Sequence, residues 1–148
     1  MIVHIPNVLS QEQVAHCREV MHRASWVDGR VTSGYQSKVV KNNRQLADNS
    51  PEARELGDMI VAALERNPLF ITAALPLRVF PPLFNRYEGG ESFGSHLDNS
   101  IMQIPGTPYR IRTDISATLL SADRTSMTAV SLVVDDVYGS HAAEITGW

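Results

Sequence analysis

The chain has 148 residues, 43% of them apolar and 20% charged, with a formal net charge of −3. That is about one domain with enough apolar material for a core. The mild acidity, without a Lys/Arg cluster, argues against nucleic acid and against an anionic membrane surface as partners. No apolar run is long enough to span a bilayer, and Met1–Pro6 has no basic stretch leading into an apolar one. With a lone cysteine, Cys17, no internal disulfide is available. A cytoplasmic location is expected.

Met1–Leu9 is a short apolar lead-in. Ser10 with Gln13 three residues on forms a capping box, and Val14, Cys17, Val20 and Met21 follow at helical spacing, predicting a helix over 11–24. Trp26–Thr32 reads as a strand broken by an Asp28-Gly29 turn, and Lys41-Asn-Asn43 as a loop. Ser50-Pro51 opens a second helix with Leu56, Ile60, Ala63 and Leu64 on its buried face. Asn67-Pro68 ends it, and 69–75 is a short helix or turn.

From Leu77 the texture changes. Leu77–Tyr87 and Thr113–Ser121 are rich in β-branched and aromatic residues, and Leu132–Val134 is a short run of the same kind. Pro81-Pro82 pushes the first of these toward a sheet edge. Asn99–Tyr109, with two prolines and a glycine, is expected to be a loop. Helices first and antiparallel strands after predict an α+β fold, residues 1–76 supporting strands in 77–148, within a single domain.

The chemistry concentrates in one stretch, Leu83-Phe-Asn-Arg-Tyr-Glu-Gly-Gly-Glu-Ser-Phe-Gly-Ser-His96-Leu-Asp98. On extended chain, residues two apart share a face, so an imidazole and a carboxylate converge. That is two thirds of the two-histidine, one-carboxylate set that holds non-haem Fe(II) with positions open for substrate and oxygen. Taken alone, His-X-Asp is a weak motif, and a surface histidine beside a solvated aspartate explains it as well. The context shifts the balance. Gly89, Gly90 and Gly94 let the backbone bend just before the pair, and Tyr87 precedes it on a strand.

Five blocks then carry a resemblance: Trp26-Val-Asp-Gly-Arg-Val-Thr, Val40-Lys-Asn-Asn, Pro82-Leu-Phe-Asn-Arg-Tyr, Gly94-Ser-His-Leu-Asp and Arg112-Thr-Asp-Ile-Ser-Ala-Thr-Leu. In this order, over about residues 2–142, the chain resembles the PKHD-type hydroxylases, bacterial relatives of the prolyl and lysyl hydroxylases. The resemblance implies a double-stranded β-helix (jelly roll). It also implies an Fe(II)- and 2-oxoglutarate-dependent dioxygenase that couples oxidative decarboxylation of 2-oxoglutarate to C–H hydroxylation, with L-ascorbate as reductant. By the same resemblance His96 and Asp98 are catalytic iron ligands and Tyr87 contacts 2-oxoglutarate. The substrate, a small molecule or a peptide, is not specified, and self-association is left open.

Other groups read as ordinary. His141 is the only histidine after Asp98, but the family's matching histidine is not a ligand; its distal ligand follows a later Pro-Ala-Gly-Asp turn. His4, His16 and His22 are read as surface or half-buried residues, Asp135-Asp136 as a turn, and Cys17 as inert core.

The chain departs from the family in its last quarter. Met127-Thr-Ala-Val-Ser131 stands where the family has Tyr-Asp-Gly-Gly-Glu. The codons ATG ACG GCG GTG AGC, regrouped after a preceding T, read TAT GAC GGC GGT GAG and restore it. Ile145–Trp148 can likewise conceal Ser-Pro-Ala-Gly one base away. A frameshifted or C-terminally truncated product is therefore expected, with the distal histidine, the arginine for 2-oxoglutarate and the closing strands missing and activity impaired. The competing readings are a non-catalytic fragment or binding module keeping the front half of the fold, and an unrelated α+β protein with an accidental His-X-Asp.

Overall fold

A computed structural model describes residues 2–32, 39–104, 106–120, 131–136 and 139–144. Helix α1 spans Gln11–Arg23. The capping box forms as the sequence predicts: Ser10 Oγ accepts from the Gln13 amide (3.2 Å) and the Ser10 amide donates to Gln13 Oε1 (2.9 Å). Two of the helix's unpaired amino-terminal donors are thereby satisfied locally. Helix α2 spans Pro51–Glu65, with Ser50 as N-cap and Pro51 in the first turn. Cys17 and Val20 of α1 meet Leu56 of α2 in the core, and Leu9, Met21, Met59 and Phe84 pack around them. Asn67 caps the short helix α3, Pro68–Ala74, by accepting from the Phe70 amide at 3.0 Å.

The Trp26 indole donates to the Met21 carbonyl (3.0 Å) and turns the chain out of α1 into strand β1, Trp26–Asp28. No hairpin follows at Asp28-Gly29. Asp28 instead accepts from the Arg30 amide (2.9 Å), an Asx turn that starts a 3-10 turn over Gly29–Thr32. Strand β1 pairs with β3 (Arg44–Leu46), which pairs with β4 (Asn85–Arg86), all antiparallel. Strand β2 (Lys41–Asn42) pairs with β5 (Ser92–Phe93). The Lys41-Asn-Asn43 segment is thus not the expected loop: it enters a ladder, and Lys41, Asn43 and Gln45 are all buried. Polarity misled here because Lys41 bonds to Gln45, and Asn43 to Asn85, inside the protein.

Two more expectations change. Of Leu77–Tyr87, only Asn85–Arg86 forms ladder pairs, with the Leu46 amide also donating to the Phe84 carbonyl at 3.1 Å; Pro81 and Pro82 have no amide hydrogen of their own to give a ladder. Residues 113–120 make no ladder; the strand is Arg110–Arg112 (β7), hairpinned with Ile101–Gln103 (β6) inside the stretch expected to be a loop. The connection keeps its turn, with Gly106 at φ +73°. The chain divides into two compact units, Met1–Ser116 and Ala117–Trp148. The second contains a hairpin of β8 (Ser131–Asp136) and β9 (Gly139–Glu144). Asp135 and Asp136 lie on its last ladder positions rather than in a turn, opposite Ser140 and Gly139. The fold is mixed α+β, and its strands are not confined to residues 77–148.

Candidate metal centre

The site grows from the β2–β5 ladder, in which Lys41 faces Phe93 and Asn42 faces Ser92. One residue past β5, the Gly94 amide donates to the Val40 carbonyl at 2.9 Å. A side chain at Gly94 would bring a Cβ to 3.1 Å from the Val40 Cβ, so glycine permits this close approach. Beyond Gly94 the ladder ends and the chain carrying His96 and Asp98 runs outside it.

His96 is held twice. Its ring stacks on Phe93, centroids 3.5 Å apart and planes within 9°. Its Nδ1 lies 2.7 Å from the Gly94 carbonyl oxygen, which can only accept, so Nδ1 carries the proton. In a neutral ring Nε2 then keeps its lone pair. Nε2 stands 3.5 Å from Asp98 Oδ1. Leu97, between them, is 91% exposed. His96 and Asp98 therefore converge as the spacing predicts. Two ligands about 2.1 Å from one ion at a right angle would stand about 3.0 Å apart, so an imidazole nitrogen and a hard carboxylate at this separation suit a first-row divalent ion. Among the described residues no three His, Cys, Asp or Glu side chains cluster so as to hold a metal.

Tyr87 follows β4 and is 41% exposed. Burial pushes its phenol pKa up, with a hydrogen bond to Asn43 partly offsetting the effect. Asn43 also donates from Nδ2 to Asn85 Oδ1 at 3.1 Å, tying β4 to the segment before β3. Cavities of about 260 Å³, bordered by Trp26, Asp28, Asn43 and Glu91, and about 360 Å³, bordered by Leu77, Phe80, Ile104 and Ile111, lie away from the His96–Asp98 pair.

Sequence reasoning missed a polar chain under the site. Lys41 Nζ donates to Gln45 Oε1 (2.9 Å), and Gln45 Nε2 donates to Asp48 Oδ1 (3.0 Å). Burial holds the Lys41 ammonium below its ordinary pKa, against the opposing pull of Asp48 and Asp28. The same ammonium lies 5.2 Å from the Phe93 ring centre, within cation–π range. The alternation of Lys41, Asn43 and Gln45 was the available signal, since period-two spacing marks one face of a strand whatever the polarity.

The remaining candidates fall elsewhere. His16 Nε2 meets Glu55 Oε1 at 2.7 Å between α1 and α2, and His4 and His22 are exposed. His141 sits in β9 opposite Val134. Cys17 is buried and burial pushes its thiol pKa up, as befits a core residue. Met127–Val130 and Ile145–Trp148 lie outside the described residues, as does the side chain of Ser131.

A PKHD-type hydroxylase of Burkholderia cenocepacia is 55% identical over 145 residues, 98% of this chain and 64% of the relative. Another from Methylobacillus flagellatus is 56% identical over 139 residues, covering 94% and 61%. A third, from Saccharophagus degradans, is 52% identical over 145 residues. The chain is a relative of the PKHD-type hydroxylases. It spans 61–64% of the length of these curated relatives. No family model matches it. The aligned stretch takes in both the helical support and the His96–Asp98 segment, since it is nearly the whole chain. No helix among the described residues is long and apolar enough to cross a membrane.

Proposed function

We propose that this chain carries part of an Fe(II)- and 2-oxoglutarate-dependent hydroxylase site, with His96 and Asp98 as two of the iron's ligands. The carrying observation is the His96 Nε2, its proton placed on Nδ1 by Gly94, 3.5 Å from Asp98 Oδ1. The relatives' naming as hydroxylases supports the reaction class. Bound there, Fe(II) would supply oxidation of a substrate C–H by O₂, coupled to decarboxylation of 2-oxoglutarate to succinate, with L-ascorbate keeping the metal reduced. Asp98 would contribute the hard anionic oxygen, and its open side leaves room for the cosubstrate. Tyr87 is assigned to 2-oxoglutarate, its phenol oriented by Asn43. The antiparallel pairs β1–β3–β4 and β2–β5 are read as the beginning of a jelly roll, in one incomplete domain acting in the cytoplasm on a small molecule or peptide, without nucleic acid or membrane.

With only two such groups brought together among the described residues, metal affinity and turnover in the 148-residue chain are expected to be low. The test is Mn(II) titration, as the redox-stable substitute for Fe(II), followed by succinate formation from 2-oxoglutarate with Fe(II) and ascorbate. Mn(II) binding weaker than about 1 μM and abolished in His96→Ala is the expected result. Binding unaffected by His96→Ala would overturn the assignment. Binding through His96 with no succinate formed would identify this chain as a metal-binding fragment rather than an enzyme.

A further inference from the structure

His96 and Asp98 lie on chain that has left the ladder, and the Asp98 side chain is 64% exposed. Among the described residues, no backbone hydrogen bond of residues 95–98 sets the direction of the imidazole. Left to itself, an imidazole beside a carboxylate has a competing arrangement: Nε2–H donating to Asp98 Oδ1, which closes the pair on itself and removes the lone pair a metal needs. At 3.5 Å that arrangement is a small movement away.

Two contacts oppose it. The Gly94 carbonyl takes the Nδ1 proton at 2.7 Å, and the Phe93 ring, parallel to within 9° at 3.5 Å, fixes the plane in which the imidazole lies. Both supports are themselves anchored. Phe93 is in register with Lys41, whose ammonium lies over its ring, and Gly94 is tied to Val40. We propose that Phe93 is a positioning residue for His96: by stacking, it holds the imidazole where Nδ1–H reaches the Gly94 carbonyl and Nε2 stays open toward Asp98. The inference rests on the metal-site reading above, although the ring's orientation can be read without any metal.

The experiment uses the 148-residue chain and three readouts. At about pH 8, where an ordinary imidazole is neutral, ¹⁵N shifts of the His96 ring should show the Nδ1–H tautomer, and its carbon-bound protons should be shifted upfield by the Phe93 ring current. Phe93→Leu should lose both signatures and weaken Mn(II) binding about tenfold or more, the usual effect of removing a group that orients a ligand. Phe93→Tyr, which keeps a stacking ring, should restore all three. An Nε2–H tautomer or absent ring-current shift in the unmodified chain overturns the proposal, with no variant needed. So does a Phe93→Leu chain with unchanged tautomer and Mn(II) affinity. If His96→Ala leaves Mn(II) binding intact, the metal reading fails, and the tautomer and ring-current data still decide the role of Phe93.

Discussion

Residues 10–70 and residues 75–119 contain similar apolar side chains and treat them differently. Every buried residue among those described lies at or before Phe70. After it, Leu77 is 97% exposed and Ile115 60%. The first region has two layers, since α1 and α2 close on each other and on Phe84, so each helix's apolar stripe finds a partner. The second offers short hairpins and unpaired extended chain with no second layer among the described residues. The His96–Asp98 pair belongs to this second region. It is preorganised by one stack and one hydrogen bond, but it lies in water, where charge interactions are weakest.

The largest effect should come from supplying that layer. A chain in which Met127–Ser131 is replaced by Tyr-Asp-Gly-Gly-Glu, with the coding DNA read on past Glu144 in the shifted frame, should form succinate from 2-oxoglutarate with Fe(II). It should also protect amides around Ile115 from hydrogen exchange. The unmodified chain assayed beside it should do neither, and equal activity in the two would remove the contrast between the regions.

Truncation on either side of the boundary should differ sharply. Leu56→Ala empties a fully buried site between α1 and α2 and should cost about 2–5 kcal/mol in urea unfolding. Ile115→Ala should change stability by less than about 0.5 kcal/mol. Similar losses at both positions would mean that the chain around Ile115 shares the core as Phe84 does. Ser10→Ala removes the acceptor that caps α1 and should cost about 1 kcal/mol, with Ser10→Asp recovering most of it.

The smallest effect is electrostatic. Burial lowers the Lys41 pKa in the folded chain, so between that lowered value and the ordinary lysine pKa of about 10.4 the unfolded state holds more protons. Stability should therefore rise with pH through this alkaline window. Lys41→Met should flatten that rise, read as the urea midpoint against pH; an unchanged slope would show that Lys41 is not the group responsible.

The elements that depend on neighbours in sequence were legible. Ser10 with Gln13 and Ser50-Pro51 marked two helix starts correctly because capping bonds span three residues. The His96–Asp98 convergence followed from the two-residue repeat of extended chain. The strand assignments that failed turned on which segments pair, near or far along the chain. Thr113–Leu120 has strand composition but no ladder, whereas Lys41-Asn42 has loop composition and a partner in Ser92-Phe93. Strand formation is a property of pairs, so composition alone could not assign it.

For this protein, sequence by itself determined the helices, their buried stripes, the family likeness and the two side chains aimed at one point. Only the tertiary structure decided that Lys41, Asn43 and Gln45 are interior, and that Phe93 and the Gly94 carbonyl orient His96. The physical reason is range. A capping bond or an i, i+2 face is settled within a few residues, whereas the placement of Phe93 is settled by its pairing with Lys41, far back in the chain.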